Sequence, residues 1–237
     1  MSTNASTPRN SVNLLAALQS AAERLRQQLP LSLLLGVLFT LPALLAYGLL
    51  FRHAYQLVNL LVSGGFVIMI GAVSAPFYLL AQQPARNMLR GINRTAWAII
   101  AITVTLYLIW ITDALAIYGI YFGTSAITLA AAGSNPEVAE FMLYMGIALT
   151  VITLLALFVS LLAVPHALLR QQGVVTAVGF NVRYLLAQSW LLLPLAALLF
   201  CHLLLLTLLP PVEIIFIPLT AYFFLALYET GQPHNAV

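Results

Sequence analysis

The stretch from residue 191 to residue 209, LLLPLAALLFCHLLLLTLL, decides the fold class of this chain. A helix needs about 20 mostly apolar residues to cross about 30 Å of hydrocarbon, and this stretch is long enough to do so. A strand of a membrane barrel would alternate apolar and polar residues over about 10 positions. Because the stretch does not alternate, it predicts a membrane-spanning helix.

Similar apolar stretches recur along the whole chain. Of its 237 residues, 62% are hydrophobic and 6% are charged, and the mean hydropathy is +1.02. A soluble domain would carry about 25% charged residues. The sequence predicts an all-α membrane protein, a bundle of six transmembrane helices, with spans at Pro30–Phe51, Tyr55–Ala81, Thr95–Tyr121, Val138–Leu169, Leu185–Leu209 and Val212–Tyr228.

A polar N-terminal region precedes the first span. Residues 1–29 are interpreted as a cytoplasmic tail with an amphipathic helix, residues 30–228 as the transmembrane domain and residues 229–237 as a second cytoplasmic tail. The helix is predicted over Ser11–Leu29, because apolar residues recur there at spacings of three and four. It would lie in the membrane surface or pack on the cytoplasmic ends of the spans. The predicted apolar stripe consists of Leu14, Leu18, Ala22, Leu25 and Leu29.

The nine basic side chains are all arginines, and they lie almost entirely on one side of the predicted membrane. Basic residues near span ends stay cytoplasmic. With six spans, only Arg52 falls on the other side, and the majority consists of Arg9, Arg24, Arg26, Arg86, Arg90, Arg94, Arg170 and Arg183. This distribution predicts a multi-pass membrane protein with both termini in the cytoplasm.

The arginines between spans have two interpretations. They are a topology signal that contacts lipid phosphates, or they form a docking face for a partner protein. The predicted partners are membrane lipid and either a second membrane protein or further copies of the chain. Nucleic acid is not expected, because no base-stacking aromatic residues accompany a basic patch. The proposed face consists of Arg86, Arg90, Arg94, Arg170 and Arg183.

Two short segments resemble each other at an offset of 89 residues. Residues 76–84, PFYLLAQQP, align with residues 165–173, PHALLRQQG, and the same offset places Arg94 on Arg183. Both segments end a predicted span on the cytoplasmic side. They therefore predict a parallel internal repeat, which occurs in transporters. The alternative is a chance match in a leucine-rich chain.

Asp113 and His202 are the ionisable residues that lie deep inside predicted spans. Such residues are costly in lipid and often mark function. They lie at similar depths and coincide at the 89-residue offset, so they could pair across the bundle and relay a proton. The alternative is that each only satisfies local hydrogen bonds. Cys201 is predicted to be a small buried apolar side chain.

No sequence motif of an enzyme, a metal site or a cofactor site is present. The predicted function is therefore a non-enzymatic membrane protein, an accessory or assembly subunit that acts through protein or lipid partners. The alternative is a small oligomeric transporter or permease that uses Asp113 and His202. No cofactor, metal or catalytic residue is predicted.

The chain resembles a broad family of uncharacterised bacterial polytopic membrane proteins, domains of unknown function. The family commonly carries an acidic residue before the glycine at position 173, where this chain has Gln171 and Gln172. The resemblance implies a helical bundle of the inner membrane and supplies no substrate or reaction. It rests on residues 74–80, on residues 158–165, on Gly173 with Ala177, and on the closing helix from Pro218 to Tyr228.

Overall fold

The structure is a computed structural model that describes residues 13–51, 54–82 and 91–230. The described residues form an all-α bundle without strands, as predicted. Six helical segments of this part are long and apolar enough to cross a membrane, so the chain is a multi-pass membrane protein. These segments are Leu29–Phe51, Gln56–Leu80, Arg94–Phe122, Pro136–Arg170, Ser189–Leu208 and Pro210–Thr230.

Several of the spans are built from more than one helix. Helix α2 (Leu29–Ala46) continues into a π-helical turn at Tyr47–Phe51. A 3-10 turn at Leu129–Gly133 follows α5 (Arg94–Phe122). The α-helices are α1 (Leu14–Gln27), α2 (Leu29–Ala46), α3 (Gln56–Val73), α4 (Ala75–Leu80), α5 (Arg94–Phe122), α6 (Pro136–Ser160), α7 (Ala163–Arg170), α8 (Val174–Ala187), α9 (Leu192–Leu208) and α10 (Glu213–Thr230).

The two ends of the bundle differ in composition. We call the end that carries Arg24, Arg94 and Arg170 the arginine end; there the Asn93 side chain donates to the Ala167 carbonyl at 2.6 Å. We call the other end the loop end, because residues 123–135 cross it. Those residues pack on the start of α3, where the Leu57 N–H donates to the Ile127 carbonyl.

Helix α3 is the centre of the bundle. Within its span 72% of the residues are buried, against 17% in the first span. Gly64, Gly65 and Gly71 lack a side chain, so neighbouring helices can approach α3 closely at these positions. A Cβ on Gly64 would lie 2.9 Å from the Leu149 side chain, and one on Gly65 would lie 2.7 Å from the Tyr107 ring.

The predicted N-terminal helix is present as α1, which packs against α10. Its buried residues are Ala17, Ala21 and Leu25, whereas Leu18 is 46% exposed. Of the predicted stripe, Leu25 is buried and Leu14 packs partly buried against the core, whereas Leu18, Ala22 and Leu29 are exposed. Small alanines let α1 approach α10 closely, and the longer leucines cannot take their place in that contact.

The two repeated segments both follow a break in a span. The first span of the pair breaks at Ser74, and the second breaks at Leu161 and Leu162. Each break precedes the repeated proline, whose ring cannot continue the hydrogen-bond ladder. After the breaks the two copies differ: residues 94–122 form one helix, whereas the second copy forms α8 and then α9.

The Asn181 side chain repairs the second break. The Leu162 N–H would normally donate to the Phe158 carbonyl, four residues earlier. Instead it donates to Asn181 Oδ1 at 3.2 Å, and Asn181 Nδ2 donates to the Phe158 carbonyl at 2.7 Å and to the Leu157 carbonyl at 2.8 Å. The amide thus replaces the missing backbone bond and fixes α8 against α6.

A proline inside α10 makes a close helix contact. Pro218 lacks an N–H, so the Ile214 carbonyl, four residues earlier, loses its helical donor. The same carbonyl lies against Gly36 of α2, where a Cβ would overlap its oxygen. The glycine therefore lets α2 and α10 pack backbone to backbone.

Candidate functional site

The most enclosed polar cluster of the described residues joins α9 to α10 near the loop end. His202 Nδ1 lies 2.8 Å and 3.0 Å from the two carboxylate oxygens of Glu213. His202 Nε2 lies 2.9 Å from Thr220 Oγ1. The side chains of His202 and Glu213 are 0% exposed, and Thr220 is 2% exposed.

Local sequence explains why these residues meet. Leu209, Pro210 and Pro211 form the tight turn that reverses the chain, which places Glu213 in the first turn of α10. Carboxylates are stabilised at a helix N-terminus by the helix dipole. His202 is about 10 Å from the end of α9, at 1.5 Å per residue. The hydrogen bonds between His202 Nδ1 and the Glu213 carboxylate therefore link α9 to the first turn of α10.

The structure does not bring Asp113 and His202 together, so the predicted pairing is wrong. Both ring nitrogens of His202 are bonded to Glu213 and Thr220. Asp113 is exposed on the outer surface of α5. Sequence reasoning missed Glu213 as the partner of His202, although its position after two prolines, which turn the chain, was an available signal.

Other predicted side chains also lie on the surface. Cys201 is exposed, contrary to the prediction, because it lies about 100° around α9 from the inward-facing His202. Arg94, Arg170 and Arg183 are exposed at the arginine end. The remaining residues of the proposed docking face, Arg86 and Arg90, lie outside the described residues.

An apolar groove runs between α6 and α9, and we call it the lateral groove. Both helices pack against α3, and they barely touch each other in the described structure. Two cavities of about 340 Å³ and 210 Å³ lie along the groove and share Leu149, Phe200 and Leu203. The groove is open to the side of the bundle, where the surrounding medium of a membrane protein is lipid.

The residues that line the lateral groove follow helical spacing. Those from α6 recur at intervals of three and four, as do those from α9, so each helix presents one continuous face. Gly146 has no atom within 4 Å of a Cβ added to it, so space is open beside it. The α6 face comprises Phe141, Met142, Met145, Gly146, Leu149, Thr150, Thr153, Leu154 and Leu157.

A third feature is a polar network around His166 at the arginine end. His166 Nε2 lies 2.9 Å from Gln172 Oε1, and Nδ1 lies 3.2 Å from the Tyr228 hydroxyl. The imidazole stacks on the Phe180 ring at 4.3 Å between ring centres. His166 is therefore a mostly buried residue that joins α7, α8 and α10.

Among residues 13–51, 54–82 and 91–230, no group of three or more His, Cys, Asp or Glu side chains is arranged to hold a metal ion. Comparisons of the chain with protein-family models, curated proteins and solved structures found no match. The resemblance to uncharacterised bacterial membrane proteins stays a prediction. The function of the chain is therefore inferred from the geometry of the bundle.

Proposed function

We propose that the chain is a non-enzymatic accessory or assembly subunit that holds a transmembrane helix of a partner membrane protein in the lateral groove. The observation that carries this proposal is the open apolar groove between α6 and α9. Its lining is almost entirely aliphatic and aromatic, with threonines at Thr150, Thr153 and Thr207. Such a lining suits an apolar helix better than a polar substrate.

The length of the lateral groove favours a helix over a lipid chain. From Phe141 to Leu157 it follows α6 for about 24 Å, at 1.5 Å per residue. The hydrocarbon core is about 30 Å thick, so one leaflet accounts for about half of it. An acyl chain fills one leaflet, whereas a transmembrane helix follows the groove through both. Gly146 and Ala196 add the small residues at which membrane helices approach closely.

The orientation and location of the chain belong to the same proposal. We place the arginine end in the cytoplasm of a bacterial inner membrane, with both termini on that side. The distribution of arginines between spans supports this assignment. The lateral groove then opens into the bilayer, where a partner reaches it by lateral diffusion.

The experiment that tests this function fills the groove. Gly146→Leu places a side chain in the open space between α6 and α9. The matched control is Gly119→Leu on α5, because Gly119 is also exposed in a span and has no atom near an added Cβ. Each variant is purified from its native membrane in nanodiscs, and its complexes are recorded by native mass spectrometry.

We expect a stoichiometric membrane protein with the parent chain and with Gly119→Leu, and its loss with Gly146→Leu. If the species that is lost is a second copy of the chain, the groove is a homo-oligomer interface and the accessory role is wrong. If the parent chain carries only lipid, or if both variants keep the same partner, the groove does not hold the partner helix.

The buried pair of His202 and Glu213 supports a second candidate, a small oligomeric transporter. Intramembrane ionisable groups are functional-site hypotheses by default. In this candidate the proton carrier is the pair of His202 with Glu213, not Asp113. Glu213→Gln would then abolish a proton-linked flux in proteoliposomes, while Asp113→Asn would leave it intact. An unchanged flux in Glu213→Gln would reject the transporter.

A further inference from the structure

A polar pocket opens between α7 and α8 at the arginine end. Its volume is about 370 Å³, and it shares no lining residue with the lateral groove. Its lining contains one cationic side chain, Arg183, and no acidic one. The lining consists of His166, Gln172, Thr176, Phe180, Arg183 and Tyr184. The last four lie on one face of α8, because their spacing is four, three and one.

Helix α8 is an apolar helix that is shorter than a membrane span. Its range Val174–Ala187 covers about 21 Å of a core about 30 Å thick. Val175 is 87% exposed, Leu186 is 62% exposed and Trp190, just beyond α8, is 47% exposed. Exposed apolar residues with a tryptophan at the ends of spans are typical of a helix at the membrane surface.

One wall of the pocket is held in place. The His166 ring is only 7% exposed and is fixed by Gln172, Tyr228 and Phe180. Burial raises the pKa of the Tyr184 hydroxyl to about 12, and this hydroxyl donates to the Leu227 carbonyl of α10 at 3.5 Å. One wall of the pocket, formed by the His166 ring, is therefore preformed, whereas Gln172, Thr176 and Arg183 are exposed to an incoming ligand.

The Arg183 guanidinium is oriented for an anion. Its Nε donates to the Gly179 carbonyl at 3.1 Å, which leaves its terminal N–H groups without a partner among the described residues. A planar guanidinium binds two phosphate oxygens at once. The first turn of α8 adds a partial positive charge, because Gly173 provides no side-chain cap there. Thr176 supplies a hydroxyl in the same turn.

We propose that this pocket binds the phosphate of an anionic phospholipid on the cytoplasmic side. Arg183 and Thr176 donate to the phosphate oxygens, and the acyl chains lie against the exposed apolar residues Val175 and Leu186. The site goes beyond the partner-binding function, because it involves other residues and another ligand. The phosphate could also belong to a free anion, and the experiment separates these sources.

The test uses the full-length chain in mild detergent, titrated with phosphatidylglycerol or with phosphatidylcholine and followed by native mass spectrometry. We expect the anionic lipid to bind more tightly than the neutral one. Arg183→Gln lowers the affinity for phosphatidylglycerol about tenfold, because it removes a charge-assisted hydrogen bond. Thr176→Val lowers it by a smaller factor. Arg26→Gln is the matched control, since Arg26 is exposed at the same end and outside the pocket.

Three outcomes would overturn the proposal. The first is an equal loss in Arg183→Gln and Arg26→Gln, which would show general attraction between basic residues and anionic lipid. The second is equal binding of the two lipids by the parent chain. The third is inorganic phosphate that binds alone as tightly as the lipid, which would make a free anion the ligand. A melting temperature for each variant shows that it is folded; Arg183 is exposed, so its replacement leaves the bundle intact.

Discussion

The interaction of His202 with Glu213 makes the sharpest quantitative prediction. The perturbation is His202→Leu. It leaves the Glu213 carboxylate, which is 0% exposed, without its histidine partner. Removing one partner of a buried pair costs about 3–5 kcal/mol, because the remaining charge is uncompensated. Replacing both partners with apolar residues of similar volume is often neutral or stabilising. The double variant with His202→Leu and Glu213→Leu should therefore be more stable than His202→Leu alone.

The measurement is a double-mutant cycle in mixed micelles. Reversible unfolding is followed by circular dichroism as the fraction of denaturing detergent rises, and the free energy of unfolding is compared for four proteins. Two independent losses of about 4 kcal/mol would sum to about 8 kcal/mol. If the pair is coupled, the free energy of unfolding of the double variant should fall by only about 2 kcal/mol or less. The coupling energy is then several kcal/mol.

Additivity of the two single losses within about 0.5 kcal/mol would refute this reasoning. Thr220→Val should cost about 1–3 kcal/mol, since it leaves the second ring nitrogen of His202 unsatisfied. Cys201→Ala is the control, because Cys201 is adjacent on α9 but exposed, and it should change the free energy of unfolding by less than about 0.5 kcal/mol.

Three further predictions concern the packing of the bundle and its arginine end. Asn181→Leu leaves a buried N–H and buried carbonyls unpaired and should lower the free energy of unfolding by about 2–5 kcal/mol, whereas Val175→Ala on the same helix should have little effect. Gly36→Ala forces a methyl group against a carbonyl of α10 and should lower the free energy of unfolding by about 1–3 kcal/mol in the same assay. Gly48→Ala is the control and should leave the free energy of unfolding unchanged, because the space around Gly48 is open. The pKa of Tyr184 is raised to about 12, so the folded state binds its proton more tightly than the unfolded state, and stability should fall between about pH 10 and pH 12. Thermal melts should show a smaller fall in Tyr184→Phe, and an identical fall would contradict this assignment.

The helical membrane architecture could be predicted from the sequence because it depends on local composition. Each span is a long apolar run, and lipid requires every backbone group in such a run to be bonded within a helix. These features depend on nearest neighbours along the chain, so they do not require knowledge of which helices touch.

The partner of His202 could not be predicted in this way. The sequence indicates how deep a residue lies in its span, and Asp113 and His202 lie at similar depths. The direction in which a side chain points depends on how its helix is rotated against its neighbours. Asp113 and Cys201 face outward, while Glu213 turns inward behind two prolines. Near-uniform hydrophobicity around each span left no polar face to indicate these rotations.

The sequence by itself determined that the chain is a multi-pass helical membrane protein, and it indicated where the spans lie. Only the tertiary structure decided that α6 and α9 stand apart on α3 and so leave the lateral groove open. It also decided that His202 is bonded to Glu213 and that Arg183 shares a pocket with His166. The physical reason is that transfer of a span into lipid depends on its own residues, whereas grooves and buried polar contacts depend on how rotated helices fit together.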